Sequence, residues 1–162
     1  MAAETKEKKP VSPKITVEQI ADLIPLITES LSHGRSVRFS PKGTSMLPML
    51  RPGLDNVVLS PLPERLKKYD LPLYRRDDGK YVLHRVVAVG DTYTCMGDNQ
   101  FLPEPGLRRD QMIAVVTAFY REDKKYEVTH PGYRLYRCLW YRSRKLRRFW
   151  KRAKGWLRRH WK

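Results

Sequence analysis

The first patterned stretch of the chain, residues 16–34, has the spacing of an amphipathic helix. Its apolar positions recur every three or four residues, at Val17, Ile20, Ala21, Ile24, Ile27 and Leu31. Thr16 with Gln19 fits a capping box, and Gly34 is placed to end the helix. Pro25 should kink the helix or divide it into two turns. The spacing predicts a packing helix; contact with a substrate or a membrane beside a site is the alternative.

Downstream of this helix the pattern changes to the short alternating runs that are typical of β-strands. The runs predicted as strands are 35–40, 54–62, 71–74, 81–89, 93–96, 111–120 and 125–129. Residues 75–80 contain an Asp-Gly hairpin signal. Residues 100–109, with Pro103 and Pro105, are predicted to form a loop. Because strands do not alternate with helices, the pattern predicts a mainly antiparallel β fold, open or barrel-like, with an N-terminal helix.

The last 30 residues, 133–162, return to helical spacing and hold most of the charge. They include 13 Lys or Arg and no Asp or Glu, in a chain whose net charge is +16. Their apolar positions recur every three, four or seven residues, at Leu135, Leu139, Leu146, Phe149, Trp150, Ala153, Trp156, Leu157 and Trp161. The pattern predicts a basic amphipathic helix, apolar on one face and cationic on the other.

A helix of this composition is typical of segments that lie in a membrane interface. Tryptophans sit at the level of the headgroups, and cations face anionic lipid. The residues predicted to bind the membrane are Trp150, Trp156, Trp161, Arg147, Arg148 and Lys151. A solvated helix docked on the domain is the alternative. Nucleic acid is not expected as a partner, because binding it requires basic and aromatic residues on one platform.

Composition divides the chain into three segments. Residues 1–14 are polar, rich in lysine and predicted to be disordered; residues 15–130 form the β-rich domain; residues 131–162 form the basic tail. Every apolar run is too short for a membrane-spanning helix, and residues 1–14 lack the apolar stretch of a secretory signal. These observations predict a protein in the cytoplasm or bound peripherally to the cytosolic face of a membrane. The four histidines are scattered singly, so no metal or other cofactor is expected.

The β-rich domain contains three residues that are suited to hydrolytic chemistry. Ser45 lies in a turn between glycine and proline residues, His84 lies in a predicted strand, and Asp98 follows Gly97. A serine, a histidine and an acid can together form a serine-protease site. Each of the three is, by itself, more often a turn or structural residue. Their joint sequence context is what makes the chemistry a hypothesis.

Four stretches around these residues occur in an order that is known from one family. They are Gly-Thr-Ser-Met-Leu-Pro-Met-Leu at 43–50, the Lys-Tyr-Asp and strand at 68–74, Leu-His-Arg-Val-Val at 83–87, and Gly-Asp-Asn at 97–99. In this order they resemble the boxes of the signal-peptidase/SOS-repressor superfamily of serine proteases. Tyr69 stands where that family usually has glycine. The resemblance implies the family's antiparallel β-rich fold and a serine endopeptidase that cleaves signal or leader peptides.

The resemblance also implies roles for individual residues. Histidine at the base position is similar to the Ser–His branch of the family, with Ser45 as nucleophile and His84 as general base. Asp98 is the first choice for the acid that orients the imidazole, and Glu104 is the alternative, because that branch has an acid a few residues beyond the closing box. The residues expected to shape the oxyanion and substrate site are Gly43, Thr44, Met46 and Pro48.

Two other functions are compatible with the same sequence. One is a catalytically inactive peptide-binding module of the same fold, held at the membrane surface by its tail. The other is a self-cleaving regulator, which would require a helix-turn-helix, whereas residues 1–34 offer one helix. The expected partners are therefore a polypeptide substrate and an anionic membrane surface. Without a membrane-spanning anchor, a cytosolic leader peptide is a reasonable substrate.

Overall fold

The chain begins with a helix and ends with a helix, and short strands lie between them. In this computed structural model, residues 17–150 and residue 156 are described. Helix α1 spans Val17–Ser32 and helix α2 spans Pro131–Arg142. The described strands are β1 Val37–Phe39, β2 Asn56–Ser60, β3 Pro72–Arg75, β4 Tyr81–Leu83, β5 Arg85–Val89, β6 Tyr93–Met96, β7 Glu104–Leu107, β8 Met112–Arg121 and β9 Lys124–Glu127. The segment 1–14, predicted to be disordered, lies outside the described residues.

The strands form two sheets in which every described pairing is antiparallel. The larger sheet has the order β1-β2-β8-β3-β4, with β9 also paired to β8, and the smaller has the order β5-β6-β7. The ten-residue β8 is the centre of the larger sheet. It pairs with β2 along one side, while β3 and β9 share its other side. The prediction of a mainly antiparallel β fold is confirmed; the signal-peptidase-like fold in particular stays a prediction.

Helix α1 is continuous through Pro25, so the predicted division into two turns is wrong. Its end is as the sequence indicated. Gly34 adopts a φ of 71°, which favours glycine, and its N–H donates to the Leu31 carbonyl (2.9 Å). The Arg35 N–H donates to the Ser30 carbonyl (3.0 Å), which completes a Schellman motif. The predicted capping box lies at the edge of the described residues, because Thr16 is outside them.

Two clusters of buried side chains hold these elements together. The first joins α1 to the larger sheet and includes Ile20, Ile27, Leu31, Phe39, Leu59, Leu73 and Val116, together with Tyr133 of α2. The second lies between the two sheets and consists of Leu66, Tyr74, Val86, Tyr93, Cys95, Leu107, Met112 and Val115. The first turns of the C-terminal helix therefore pack into the main core. None of the helices among the described residues is long and apolar enough to span a membrane.

The run 81–89, predicted to be one strand, is two strands that belong to different sheets. Strand β4 pairs with β3, whereas β5 pairs with β6. His84 lies at the break. The chain leaves the β3 edge there because the Val86 N–H donates to the Asp70 carbonyl (2.8 Å) and the Val86 carbonyl accepts from Tyr69 N–H (2.8 Å). Both halves have the same β propensity, so the pattern alone does not indicate the break.

Residues 100–109, predicted to form a loop, contain strand β7. It pairs with β6, with Glu104 opposite Cys95 and Leu107 opposite Tyr93. Its only described partner is β6, so it is an edge strand, where a proline such as Pro105 is tolerated because one side needs no N–H donor. The prolines favoured the loop prediction, but the open edge of β6 accommodates them. This strand brings Glu104 within hydrogen-bond distance of Tyr74, which in turn contacts His84.

Candidate active site

Ser45 lies in a single 3-10 turn, Thr44–Met46, which its own Met46 side chain and the loop 97–99 hold in place. The Met46 side chain is buried beneath the turn. On the other side, the Asn99 N–H donates to the Ser45 carbonyl (2.8 Å), and Asn99 Nδ2 donates to the Thr44 carbonyl (3.3 Å). The loop 97–99, here called the closing loop, therefore holds the backbone of the serine turn in place through these two hydrogen bonds.

The close contact between the closing loop and the serine turn requires glycine at position 97. A Cβ atom at Gly97 would lie 2.6 Å from the Ser45 carbonyl oxygen and 3.1 Å from the Ser45 Cβ. Both atoms belong to the short turn itself, so the turn would have to shift to admit any side chain. The glycine of the closing Gly-Asp-Asn stretch thus serves the close approach of two backbone segments.

Ser45 and His84 line the same cleft, which has a volume of about 460 Å³. This volume is within the usual range for sites that bind small molecules or peptide side chains. The apolar lining includes Ile20, Ala21, Phe39, Met46, Leu73 and Leu83, and charged or polar lining side chains include Lys42, Arg76, Lys80 and Gln100. Helix α1 therefore both packs on the sheet and forms one wall of the cleft. Of the residues predicted to shape the substrate site, Gly43 and Met46 line this cleft, whereas Thr44 and Pro48 are exposed and lie outside its lining.

The His84 imidazole is buried, and its Nδ1 atom contacts Tyr74 Oη at 3.2 Å. The Tyr74 hydroxyl donates its proton to Glu104 Oε2 at 2.8 Å. Since a carboxylate can only accept, Tyr74 Oη has only lone pairs left for the imidazole. His84 Nδ1 must then be the protonated nitrogen, and Nε2 has the free lone pair that a general base requires.

Arg76 holds Glu104 in its ionised form. Arg76 Nε donates to Glu104 Oε1 (2.7 Å) and Nη2 donates to Oε2 (2.6 Å), a bidentate pairing. Burial by itself would raise the pKa of Glu104, but the hydrogen bonds from Arg76 and Tyr74 outweigh burial and hold that pKa below its usual value. The carboxylate therefore remains an acceptor at neutral pH, as the imidazole tautomer described above requires.

The same surroundings keep the His84 imidazole neutral. Burial, with a further contribution from the positive charge of Arg76, lowers the pKa of His84 to about 4; Glu104 and Asp98 act in the opposite direction. Glu104 Oε2 lies 4.0 Å from His84 Nδ1. A neutral imidazole at pH 7 can accept a proton, and the nearby carboxylate favours the imidazolium that results.

Asp98, the first choice from the sequence for the acid that orients His84, binds Arg85 instead. Arg85 Nε donates to Asp98 Oδ1 (2.7 Å) and Nη2 donates to Oδ2 (2.6 Å), and both side chains are buried. Arg85 takes both carboxylate oxygens because its planar fork matches the carboxylate geometry. Of the two acids considered, the structure places Glu104 beside the imidazole of His84 through Tyr74.

Arg85 also joins the parts of the chain that surround the site. Its Nη1 donates to the Tyr69 carbonyl (3.2 Å) and to Tyr133 Oη (3.0 Å). Its Nη2 also contacts Met49 Sδ at 3.1 Å. The buried guanidinium thus has a partner for each of its nitrogens. It connects the segment after Ser45, the segment before β3, the closing loop and α2.

Sequence reasoning did not single out Tyr74 and Arg76. They are two residues apart on the same extended segment, so their side chains share a face, and both contact Glu104. The alternation in the sequence could have paired Tyr74 with Arg76. It could not have indicated Glu104, which lies 28 residues beyond Arg76 in a segment that was predicted to be a loop.

The residues predicted to bind the membrane are distributed over both sides of the C-terminal helix. Arg147 faces the domain: its guanidinium lies 3.6 Å from the centre of the Trp140 ring, and Nη1 donates to the Asp98 carbonyl (3.3 Å). Arg148, Trp150 and Trp156 are exposed. Lys151 and Trp161 lie outside the described residues.

Known proteins do not extend this picture. No family model, curated protein or solved structure matches the chain. The resemblance to signal-peptidase-like proteases, and the activity that it implies, therefore stay predictions. No group of three or more His, Cys, Asp or Glu side chains among the described residues could hold a metal ion.

Asp98→Asn should lower the free energy of unfolding by about 3 to 5 kcal/mol, because the substitution leaves the buried Arg85 without its counter-ion. Urea unfolding followed by circular dichroism measures this loss. Asp78→Asn is the matched control: it removes an acid from the ion pair with Lys80 on the surface, and the unfolding midpoint should hardly change. Equal midpoints for the two variants would contradict a structural role for Asp98.

The imidazole of His84 should titrate near pH 4, well below a free histidine. Proton NMR of the ring C–H groups measures this pKa, and the spectrum of His84→Ala assigns the signal. Arg76→Gln should raise the pKa because it removes a cation that disfavours the imidazolium. Glu104→Gln should lower it because it removes an anion that favours the imidazolium. Titration near pH 6.5, unmoved by either substitution, would contradict the described surroundings of His84.

Proposed function

We propose that this protein is a serine endopeptidase that cleaves signal or leader peptides by a Ser–His mechanism. The proposal rests on one observation above all. Ser45 and His84 line one cleft, and His84 Nδ1 contacts Tyr74 Oη, whose hydroxyl donates to Glu104. A serine and an oriented, neutral imidazole in one cleft support the proposal, because acyl transfer uses a nucleophile, a base and a group that orients the base.

In the proposed reaction, Ser45 Oγ attacks the carbonyl carbon of a peptide bond. His84 Nε2 takes the serine proton and then delivers it to the leaving amine, which gives an acyl-serine and a free amino terminus. Water then attacks the acyl-serine, again with His84 as base, and releases the new carboxyl terminus. The backbone N–H of Ser45 is the proposed donor to the oxyanion.

The hydrogen bonds of the described residues do not include one between Ser45 Oγ and His84. Catalytic hydrogen bonds are often long before a substrate binds and shorten in the complex. The cleft between the two residues is where a substrate would enter. The pairing of nucleophile and base is therefore proposed for the complex with a peptide.

Tyr74, Glu104 and Arg76 are the proposed positioning residues for the base. Tyr74 keeps the proton on His84 Nδ1, and Glu104 stabilises the positive imidazolium formed during attack. Arg76 limits this stabilisation, because its own charge lowers the pKa of His84. The result is a base that is fully neutral at pH 7 but weak, and geometry must compensate for its low basicity.

The cleft is suited to an extended peptide. Tyr81, Val82 and Leu83 of β4 line it, and β3 is the only described partner of β4, so the other edge of β4 is open. A substrate could add to this edge as a further strand, with main-chain hydrogen bonds supplying affinity. Its side chains would then enter an apolar cavity beside Ser45, which favours small or apolar residues near the cleaved bond.

The inactive peptide-binding module is the second candidate, because an open strand edge beside an apolar cleft would bind peptides without any chemistry. The two candidates differ only in the reactivity of Ser45. A reagent that reacts with activated serines, and with no other hydroxyl, therefore distinguishes them.

A fluorophosphonate probe should label the wild-type protein at Ser45, as mapped by mass spectrometry of the proteolytic fragments. Ser45→Ala should abolish labelling. His84→Ala should slow it by about 10² to 10⁴, the usual contribution of a general base. Labelling should require neutral His84, so its rate should fall as the pH drops through about 4.

Ser40→Ala is the matched control, because Ser40 lines the same cleft but its hydroxyl donates to the Asp55 carbonyl (3.5 Å), and labelling should continue at the wild-type rate. A wild-type protein that the probe does not label would refute the peptidase and leave the binding module. Equal labelling of the wild type and His84→Ala would show that His84 is not the base.

A further inference from the structure

The C-terminal helix has two distinct faces, and the structure uses only one of them. The helix continues past α2, since Ser143 N–H donates to the Leu139 carbonyl (2.9 Å), Arg147 N–H donates to the Ser143 carbonyl (2.9 Å), and residues 144–150 are helical. The inner face, which contacts the domain, consists of Tyr133, Tyr136, Trp140 and Arg147. The outer face consists of Leu135, Leu139, Leu146, Phe149 and Trp150. The apolar positions predicted from the spacing share the outer face, but the cations are not confined to one opposite face, because Arg147 contacts the domain and Arg142 lies within the apolar row.

The outer face is a row of large apolar side chains that the described part of the protein leaves open, with the exposed Arg142 between Leu139 and Leu146. The exposed fractions of its side chains are 62% for Leu135, 58% for Leu139, 61% for Leu146, 67% for Phe149 and 59% for Trp150. Single exposed apolar side chains are ordinary on protein surfaces, but a row of large ones marks an interaction site. The inner face already anchors the helix, so the outer row has no part in holding the helix on the domain.

Cations border this row on one side. Arg134, Lys145 and Arg148 are exposed and follow one another along a single flank of the helix. Lys68 of the domain extends the same flank, with its Nζ 5.4 Å from the centre of the Tyr141 ring. Within the described part of the chain, residues 131–150 form no ion pair with a carboxylate. The charge of the flank is therefore available to an anionic partner.

We propose that the outer face of residues 131–150, with its cationic flank and Lys68, docks on an anionic lipid bilayer. The apolar row would enter the boundary between headgroups and acyl chains, while the flank contacts lipid phosphates. An apolar row with cations on its border fits a bilayer interface. A nucleic acid would contact the cations but leave the row exposed. Arg147 is not part of this surface, because it binds the domain.

Co-sedimentation of the full chain with vesicles tests this docking. The protein should bind vesicles of phosphatidylcholine mixed with phosphatidylglycerol, bind pure phosphatidylcholine much more weakly, and dissociate as salt is added. Leu139→Ser with Phe149→Ser should weaken binding by about tenfold or more, because the row loses buried apolar area. Lys145→Gln with Arg148→Gln should weaken it about thirtyfold, since each cation near the surface contributes roughly fivefold.

The controls make the same chemical changes elsewhere on the surface. Leu102→Ser alters a leucine that is 82% exposed, and Arg35→Gln with Lys124→Gln removes two exposed cations from outside the helix. Both should leave vesicle binding at the wild-type level. Three results would overturn the proposal: equal loss in the control variants, tighter binding to a DNA duplex than to anionic vesicles, or self-association in light scattering that the Leu139 and Phe149 substitutions abolish.

The inner face of the helix has a different role, which hydrogen bonds to the closing loop indicate. Trp140 Nε1 and Arg147 Nη1 both donate to the Asp98 carbonyl, at 3.0 and 3.3 Å. The next residue, Asn99, donates its N–H to the Ser45 carbonyl. The helix thus fixes the loop whose backbone clamps the serine turn. These contacts involve the carbonyl of Asp98 and not the carboxylate that binds Arg85.

We infer that Trp140 and Arg147 are positioning residues for Ser45, acting through Asp98 and Asn99. This inference rests on the proposed peptidase function, because it concerns the reactivity of the serine. Small displacements of a nucleophile can slow a reaction by orders of magnitude without altering substrate binding. The helix would therefore affect the maximal rate at which Ser45 reacts and leave the affinity of the cleft unchanged.

Saturation kinetics of fluorophosphonate labelling test this role. Trp140→Phe removes one hydrogen bond to the loop and should lower the maximal labelling rate by about tenfold, with the half-saturating probe concentration unchanged. Arg147→Gln should act in the same direction. Tyr136→Phe is the matched control: it lies on the same face, but its buried hydroxyl has no hydrogen-bond partner among the described residues, so the maximal rate should not change.

The outcomes separate this inference from the proposed function. If His84→Ala slows labelling by about 10² to 10⁴ while Trp140→Phe and Arg147→Gln react at the wild-type maximal rate, the peptidase stands and the positioning role is refuted. If His84→Ala reacts like the wild type, the proposed function itself fails. Thermal unfolding of each variant identifies a loss of rate that is caused by unfolding of that variant.

Discussion

The buried ion pair between Arg85 and Asp98 is the interaction on which the arrangement of the site depends. Removing two charges from water is costly, so such a pair persists only when further hydrogen bonds satisfy both groups. Here the guanidinium also binds Tyr69, Tyr133 and Met49, which lie in three separate segments. The pair therefore fixes the closing loop, the C-terminal helix and the segment after the serine turn relative to the strand that follows the histidine.

His84, the residue before Arg85, needs surroundings that keep it neutral, whereas Arg85 needs surroundings that keep it charged. The position of His84 between the two sheets allows both. A general base must be neutral and oriented, whereas Arg85 must be charged and buried. The chain separates the two by leaving one sheet and entering the other at His84. His84 then faces the cleft and the Tyr74–Glu104 pair, while Arg85 faces the closing loop. In the proposed peptidase, two adjacent residues would thus serve chemistry and structure without competing for one carboxylate.

Patterning predicted much of the fold, and its errors have physical causes. The N-terminal helix and most strands follow from local periodicity, which the structure confirms. The single strand at 81–89 and the loop at 100–109 were wrong because strand pairing and edge position decided them, and neither is local. The same holds for the site. Ser45 and His84 could be named from local motifs. Tyr74 and Arg76, by contrast, acquire their roles only through Glu104, which lies on β7, a strand in a segment whose prolines favoured the prediction of a loop.

The sequence by itself determined the β-rich architecture, the candidate nucleophile and base, and the charge of the C-terminal segment, because each depends on residue type and short-range spacing. Only the tertiary structure decided which hydrogen-bond donors each carboxylate binds. A carboxylate binds whichever cation the fold brings to it, so Asp98 binds Arg85 and Glu104 binds Arg76 and Tyr74. The faces of the C-terminal helix were decided in the same way, since a helical row becomes inner or outer only when the domain offers a surface to one of them.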